Sequence, residues 1–266
     1  MECLNPDLIG TGDYCWANGI RLGNPGSDFV GWYDTDRDGE LDRVHIPAEE
    51  LGYPAATRDY YALELTFDRR FMDNWMLHGS YTWSHLYGNY EGTVSDEFGN
   101  DYAGVNQSFD WPYMMEHSSG DLPNDMRHNF KLFGVYSWNF GLQTGGNLFY
   151  NTGRPINSYG RHPDDPWAPA GDWPAFYTGG EPAPRGCCGR TDDVWGLDVM
   201  LNYDFQALGI SWNVRLDAFN VLNNQNVVRV DVRAERSGSG VPRETYGEPQ
   251  YYQRPRTVRL GFGLSF

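Results

Sequence analysis

The sequence predicts an all-β fold of long antiparallel strands, and three observations support this. Apolar and polar residues alternate with a period of two over several long segments, which places their side chains on opposite faces of a sheet. Aromatic residues make up 16% of the chain, although the mean hydropathy is only -0.62. No run of eighteen apolar residues exists that could form a transmembrane helix. These patterns favour a transmembrane β-barrel segment, with apolar residues facing lipid and polar residues facing the lumen.

The last ten residues, 257–266, show this alternation most clearly. Five apolar residues alternate with polar or small ones such as Arg259 and Gly261. An edge strand of a soluble protein with this pattern would invite aggregation, whereas a membrane barrel requires it. The apolar positions are Val258, Leu260, Phe262, Leu264 and Phe266.

The charge balance and the scattered histidines exclude two classes of function. A net charge of -16, with Lys131 as the only lysine, would repel the phosphates of nucleic acid. The same balance suits acidic surface loops that hold divalent cations. No HExxH motif, GxSxG motif or paired-carboxylate spacing is present, so we do not expect an enzyme.

Residues 1–58 are predicted to be an extracellular loop region that precedes the barrel strands of residues 59–266. Gly, Pro, Asn and Asp recur here, with little sustained alternation. The first six residues show no basic segment followed by an apolar run, so no signal peptide is recognised. Because a barrel must be exported, we expect these residues to be the C-terminal part of a longer chain.

A calcium-like loop lies within this region. Carboxylates at positions 1, 3, 5 and 9 and a glycine at position 6 match a calcium-binding loop, in which alternate oxygens converge on one cation. Position 12 departs from the pattern, because His45 replaces the bidentate Glu and only Glu49 or Glu50 could substitute. The alternative is a solvated acidic turn. The predicted Ca²⁺ ligands are Asp34, Asp36, Asp38, Asp42 and the backbone carbonyl of Glu40.

Four cysteines are candidates for disulfides. Cys3 and Cys15 could close a small surface loop in an oxidising compartment, or remain free thiols. Cys187 and Cys188 are neighbours and could form a vicinal disulfide, bind a metal or bridge to another loop.

Seven alternating segments follow from Tyr60 to the end of the chain. Glu64, Asp68 and His78 occupy polar positions in the first two, where a dry core would not hold them but a watery lumen would. The predicted segments cover residues 60–68, 75–84, 127–139, 142–152, 195–205, 208–218 and 257–266.

Short and long connections alternate between these segments, as they do in transmembrane barrels with short periplasmic turns and long extracellular loops. With the last segment ending in the periplasm, all the long loops lie outside the cell, together with the calcium-like loop. Tight turns are predicted at residues 72–74, 140–141 and 206–207, and long loops at 89–126, 153–191 and 222–255.

Three segments resemble TonB-dependent outer-membrane receptors. The run Phe219-Asn220-Val221-Leu222-Asn223 resembles the FN-x-x-N signature near the penultimate strand of that family. Residues 124–130, Asn-Asp-Met-Arg-His-Asn-Phe, resemble the D-x-R-H segment that opens a late strand, and Gly189-Arg190-Thr191-Asp192 precedes the next one. Among subfamilies, the chain is most similar to Oar-like receptors, which carry a carboxypeptidase-regulatory-like domain.

The resemblance implies the C-terminal part of a ligand transporter in the outer membrane of a Gram-negative bacterium. Such a barrel has about 22 strands around a plugged lumen, of which this sequence supplies about 7 to 8. It contacts TonB only through a plug, which this sequence lacks. The implied partners are outer-membrane lipid, a surface protein or lipoprotein, and the barrel assembly machinery, which reads Leu260, Phe262, Leu264 and Phe266.

The alternative is a small, self-contained barrel closed by eight strands and acting as an adhesin or structural protein. It requires an eighth strand from residues 28–33 or 42–46, both of which are short and weakly apolar.

Overall fold

A computed structural model describes residues 26–33, 38–92, 94, 97, 109, 112–164, 175–236 and 239–266. Strands dominate these residues, with one short 3-10 turn at Pro112–Met115 and no helix among them long and apolar enough to cross a membrane. The strands are β1 (Phe29–Tyr33), β2 (Asp42–Ile46), β3 (Arg58–Met72), β4 (Trp75–Gly88), β5 (Gly120–Asp121), β6 (His128–Ser137), β7 (Leu142–Asn151), β8 (Tyr177–Thr178), β9 (Glu181–Pro182), β10 (Val194–Ala207), β11 (Ile210–Phe219), β12 (Val227–Val230), β13 (Pro249–Tyr252) and β14 (Thr257–Ser265).

Seven long strands form one antiparallel sheet, in the order β14-β11-β10-β7-β6-β4-β3, and the short β5 pairs with β4. Strands that are consecutive along this order are joined alternately by a short turn and a long loop, as the sequence predicts. The all-β, antiparallel fold is therefore confirmed. In the described residues the edge strands β3 and β14 do not pair with each other.

The strand register places the predicted apolar residues on one face across the whole sheet. Leu65 lies opposite Tyr81, Tyr81 opposite Phe130, Phe130 opposite Tyr150, and Tyr150 opposite Trp195. Because every pairing joins residues on the same face, one continuous apolar surface results. Its other members include Leu63, Leu132, Leu148, Leu197, Leu201, Val214, Leu216, Leu260 and Phe262.

The opposite face is polar and held by side-chain hydrogen bonds between strands. Asn213 donates to Asn202 at 2.8 Å and to Asp204 at 2.6 Å. Arg259 donates to Asp217 at 2.8 Å, and Asp217 is buried beneath it. This separation of faces is the pattern that a water-filled lumen and a lipid exterior require.

Two short strands lie in the described part of the region predicted as an extracellular loop, residues 1–58. Strands β1 and β2 pair as a hairpin, with Phe29 opposite Ile46 and Tyr33 opposite Asp42. They include both segments considered for an eighth barrel strand, but each pairs with the other rather than with the main sheet. Their mutual pairing satisfies the backbone groups on the edges of the two strands that face each other.

The predicted turn at residues 206–207 is wrong by two residues. Strand β10 continues to Ala207, and Leu208 and Gly209 form the turn, with φ of 58° and 77°. Two positive φ values define the type I′ turn that best matches strand twist. Leu208 is 94% exposed, so it belongs to the turn rather than to the apolar face of β11.

The three long connections pack together at one end of the sheet, and we call them loop A (residues 89–127), loop B (152–193) and loop C (220–256). In the described residues, nearly all buried apolar side chains lie in this loop layer. Tyr113 and Met114 of loop A pack with Ala175 and Tyr177 of loop B, while Tyr159 and Phe176 of loop B pack with Val230 and Val232 of loop C.

Candidate functional site

The loop layer is anchored to the strand ends by a cluster of charged residues. Asp125 is fully buried; it accepts hydrogen bonds from the backbone N–H of Leu86 at 2.7 Å and from Arg127 Nε at 2.7 Å, and it also binds Arg190. Arg127 and Arg190 both reach the carboxylate of Asp121, at 2.7 and 3.0 Å. Two family-like segments, around residues 124–130 and 189–192, therefore meet in one ion-pair network.

The same cluster draws the ends of loop B together. Arg190 donates to the carbonyl oxygen of Gly153 at 2.9 Å, and the backbone N–H of Gly153 donates to Asp193 at 2.9 Å. A Cβ atom at Gly153 would overlap the carbonyl oxygen of Thr191. Only glycine allows the two ends of the loop to approach this closely.

The FN-x-x-N segment closes the base of loop C. The Asn220 side chain donates to the carbonyl oxygens of Asn224 at 2.9 Å and Arg254 at 2.8 Å, and Asn223 accepts from the Arg256 backbone N–H at 3.0 Å. These bonds hold the end of β11 beside the start of β14. Asn220 and Asn223 adopt positive φ of 48° and 55°, which asparagine tolerates better than most residues.

A buried ion pair joins loops A and B inside the layer. Arg185 donates to Glu91 at 2.6 Å, and the exposed fractions of the two side chains are 1% and 6%. Arg185 also donates through Nε to the carbonyl oxygen of Ser118 in loop A. Because a charge left without its partner in such a site is costly, this pair favours one arrangement of the two loops.

Glu97 makes a second polar bridge between loops A and B. Its carboxylate accepts from Asn157 Nδ2 at 2.9 and 2.8 Å and from the Tyr159 hydroxyl at 2.7 Å. Burial, followed by the like charge of the neighbouring Glu91, raises the pKa of Glu97 from 4.5 to about 7, against the opposing effects of Arg185 and of the two hydrogen-bond donors. Burial also raises the pKa of Tyr159 well above 10, so its hydroxyl stays a donor.

A third cluster joins Glu116 of loop A to His162 and Tyr177 of loop B. Glu116 accepts from the Tyr177 hydroxyl at 2.6 Å and contacts His162 Nε2 at 3.0 Å. The backbone N–H of Asp164 points to His162 Nδ1 at 3.2 Å, which assigns the proton of the neutral ring to Nε2. Burial and the bond to Glu116 raise the pKa of Tyr177 to about 12.

Glu235 binds loop C to loop B through backbone N–H groups. It is 7% exposed and accepts from the N–H of Arg161 at 2.8 Å and from that of Gly179 at 2.5 Å. Since both donors belong to loop B, this single carboxylate connects two places in that loop to loop C.

We expect Glu235→Ala to loosen loop B by about 2 kcal/mol, since an unsatisfied buried donor costs roughly 1–3 kcal/mol. Amide hydrogen exchange at Gly179 should accelerate accordingly. Glu244→Ala, an exposed change in the same loop, is the control and should leave exchange unchanged; equal effects of the two changes would contradict this role for Glu235.

The structure describes only part of the predicted calcium loop. Asp34 and Asp36 lie outside the described residues, whereas Asp38, Glu40 and Asp42 follow β1 and lead into β2. Asp38 Oδ1 accepts from the backbone N–H of Glu40 at 2.7 Å, and Gly39 has φ of 90°. Within the described part of the chain, no group of three or more His, Cys, Asp or Glu is placed to hold a metal ion.

The other predicted site residues lie far apart. Cys3 and Cys15 fall outside the described residues. The sulfurs of Cys187 and Cys188 lie 2.22 Å apart, at disulfide distance, on the exposed side of loop B. Leu260, Phe262 and Leu264 all belong to β14 and its apolar face, and Phe266 follows that strand; all four are more than half exposed.

Sequence reasoning missed the buried carboxylates Glu91, Glu97 and Glu235 and their partner Arg185. No short motif contains them, and their partners lie 56 to 94 residues away along the chain. The one available signal is composition, because aromatic residues are frequent inside loops that are otherwise polar.

Together, the two-faced sheet and its loop layer define a segment of an outer-membrane β-barrel. Residues 47–153 match a family whose model is described as an outer membrane beta barrel domain. The chain is also 29% identical to the TonB-dependent transporter Oar of Myxococcus xanthus, over 94% of this chain and 24% of that protein. The chain thus spans about a quarter of the length of this relative.

Two solved structures resemble the fold at low sequence identity. The siderophore receptor PiuA from Acinetobacter baumannii is 11% identical in sequence, with a TM-score of 0.45. The match covers 77% of this chain and 22% of the PiuA chain. The ferric-catecholate import receptor Fiu from E. coli K12 is 16% identical in sequence, with a TM-score of 0.43. The match covers 88% of this chain and 22% of the Fiu chain.

The sequence match to Oar confirms the predicted resemblance to TonB-dependent outer-membrane receptors, and residues 47–153 match an outer-membrane β-barrel domain. The location of the chain is the outer membrane of a Gram-negative bacterium. The relative is a transporter, which agrees with the prediction that this chain is not an enzyme. The alternative of a small, self-contained barrel is not favoured, because the match covers one part of a much longer protein.

Proposed function

We propose that this chain is the C-terminal barrel part of a receptor that takes up a ligand across the outer membrane. The observation that carries the proposal is the loop layer, whose described residues pack against one another at the end of the sheet where all three long connections lie. Among the described residues, the short turns at the opposite end of the sheet connect strands without such a packed apolar cluster. A layer of this kind, placed outside the cell, would contribute to capturing ligand at the mouth of the barrel.

The relative named a TonB-dependent transporter supports this proposal. By analogy with TonB-dependent transporters, energy would reach the barrel from TonB through a plug domain. The apolar face of the sheet would contact outer-membrane lipid, and residues of β14 would serve as the signal for the barrel assembly machinery. A surface protein or lipoprotein would be a partner of the loops.

The placement of the loops can be tested with single cysteines in the whole polypeptide, in a background without the native ones. Ser239→Cys in loop C should react with a membrane-impermeant maleimide on intact cells. Asp73→Cys in the short turn between β3 and β4 should react only after the outer membrane is permeabilised. The reverse result would overturn the assignment of sides.

Uptake can be tested by comparing spent medium from cells with the native protein and cells in which loop B is trimmed. We expect mass spectrometry to find a solute that native cells deplete and trimmed cells leave, and an uncoupler of the proton gradient should abolish the difference. An immunoblot of outer membranes should also show a polypeptide several times larger than 30.3 kDa. Identical media would contradict uptake through this protein.

We also propose that the loop between β1 and β2 binds Ca²⁺. Support comes from the carboxylate spacing and from the tight turn at Asp38 and Gly39, which turns the chain as a calcium loop requires. We expect calcium to protect this loop from protease, and the double change Asp36→Ala and Asp38→Ala to abolish that protection. Protection that persists in chelator would leave only an acidic turn.

A further inference from the structure

The apolar face of the sheet carries an arginine near the short turn between β3 and β4. Arg69 is paired with Leu77, and Leu77 with Gly134, so by register all three belong to the apolar face. The Arg69 guanidinium lies over the Trp75 ring of β4, with Cζ 3.9 Å from the ring centroid, and so leans away from the unpaired edge of β3. A cation on a lipid-facing surface is tolerated near the interface, where it reaches polar headgroups.

Arg69 forms an ion pair with a carboxylate of the same turn. Its Nη2 donates to Asp73 Oδ2 at 3.1 Å and to the carbonyl oxygen of Met72 at 3.4 Å. Among the described residues, nothing binds Nη1 of Arg69 or Oδ1 of Asp73, and the Asp73 side chain is 74% exposed. The pair therefore presents a positive and a negative charge side by side, each with hydrogen-bonding capacity that is not used.

A recess with a volume of about 460 Å³ lies in the same part of the sheet and is lined in part by Trp75. Trp75, Tyr136 and Thr144 form one cross-strand row of its lining, and Gly134 and Gly146 form the next row. Because neither glycine has a side chain, the apolar face is hollowed at this row. Water finds few partners in such a recess, and an empty one loses dispersion contacts, so hydrocarbon is its natural occupant.

We propose that Arg69, Asp73 and the recess beside Trp75 form a binding site for one phospholipid with an ethanolamine headgroup. The phosphate contacts Arg69, because a guanidinium binds phosphate oxygens through charge-assisted hydrogen bonds. The headgroup ammonium donates to Asp73, and an acyl chain lies in the recess. The inference rests on the proposed lipid-facing role of the apolar face but does not depend on ligand uptake.

Charge complementarity selects this lipid among those of a membrane. A headgroup with a net negative charge would place a like charge beside the carboxylate of Asp73, whereas an ethanolamine headgroup pairs with both members of the ion pair. A choline headgroup carries the same charges, but its trimethylated nitrogen has no N–H to donate to a carboxylate oxygen. In the proposed orientation the site faces the periplasmic leaflet, since the turn between β3 and β4 is one of the short turns.

The test is native mass spectrometry of the full polypeptide in detergent, titrated with dioleoyl phosphatidylethanolamine or with its choline counterpart. We expect native protein to retain one ethanolamine lipid in preference to the choline lipid. Arg69→Gln should weaken this retention about tenfold, as expected for the loss of a charged hydrogen bond. Lys131→Gln is the control, because it removes a cation from the polar face, where Lys131 pairs with Ser80, and it should retain lipid as native protein does.

Two further variants test the headgroup and the acyl chain separately. Asp73→Asn should abolish the preference for ethanolamine over choline. Gly146→Val should fill the recess and weaken retention of both lipids equally; a Cβ atom at this position meets only the carbonyl oxygen of Asp198, at 3.8 Å, so the strand can accept it. If Arg69→Gln does not assemble, these two variants decide the matter.

Three results would overturn this lipid site. They are equal retention of the two lipids by native protein, preferential retention of lipopolysaccharide when it is offered together with the ethanolamine lipid, and a loss of lipid in Lys131→Gln as large as in Arg69→Gln. The measurement needs neither transport nor a defined side of the membrane. Its failure is therefore distinguishable from a failure of the uptake proposal.

Discussion

Asp125→Ala is expected to destabilise the loop layer by about 3 kcal/mol, the lower end of the roughly 3–5 kcal/mol cost of breaking a buried ion pair. Asp125 is fully buried, and its loss leaves the N–H of Leu86 without its acceptor and Arg127 and Arg190 with Asp121 as their one remaining carboxylate in the cluster. The lower end applies because both guanidiniums are more than a quarter exposed, so water recovers part of the loss.

Thermal unfolding in detergent, followed by proteolysis of loops A and B, would measure this effect. Asp125→Asn should cost less, since its carbonyl oxygen can still accept from Leu86 although it cannot balance two positive charges. Glu181→Ala removes an exposed carboxylate from loop B and should change nothing. A stability loss for Asp125→Ala no greater than for Glu181→Ala would contradict the anchoring role of the cluster.

The network around Asp125 also shows why family-like motifs were informative without revealing their chemistry. Segments 124–130 and 189–192 were recognised separately, and the structure brings Asp125, Arg127 and Arg190 together at the ends of the strands. The separation of Asp125 and Arg190 along the chain does not predict that they touch, because they are 65 residues apart, with most of loop B between them. The contact among these three side chains is set by tertiary packing and could not be predicted from the motifs.

The strands were predictable for a physical reason that does not extend to the loops. Each strand has lipid on one side and water on the other, so alternate positions must differ in polarity wherever the chain crosses. Loop residues pack against residues of other loops instead, so no alternation of polarity is required of them. The pair Glu91 and Arg185 is separated by 94 residues, and Glu97 and Tyr159 by 62, with no period connecting them.

The misplaced turn before β11 has the same origin. Leu208 is apolar and precedes Ile210 by two residues, a spacing that alternation alone cannot reject. What excludes it from the strand is backbone geometry, since Leu208 and Gly209 both adopt positive φ. The glycine was the available signal, because a type I′ turn favours glycine at its second central position.

Leu216→Arg tests the assignment of the two faces of the sheet, with an expected loss of about 2–4 kcal/mol for a charge at the bilayer midplane. Leu216 lies opposite Leu201 on β10 and Leu260 on β14, in the continuous apolar face. No carboxylate on that face lies opposite to pair with an arginine there. We therefore expect a large fall in the yield of folded barrel in lipid vesicles, read from heat-resistant mobility on gels.

Asn213→Arg is the matched control on the same strand. Asn213 lies on the polar face and contacts Asp204 at 2.6 Å, so an arginine at this position meets both water and a carboxylate. The native Arg215, two residues further on, already points to this face and pairs with Asp217 at 3.0 Å. Folding yields that fall equally for both variants would mean that the sheet is not lipid on one side and lumen on the other, and the barrel assignment would lose its physical basis.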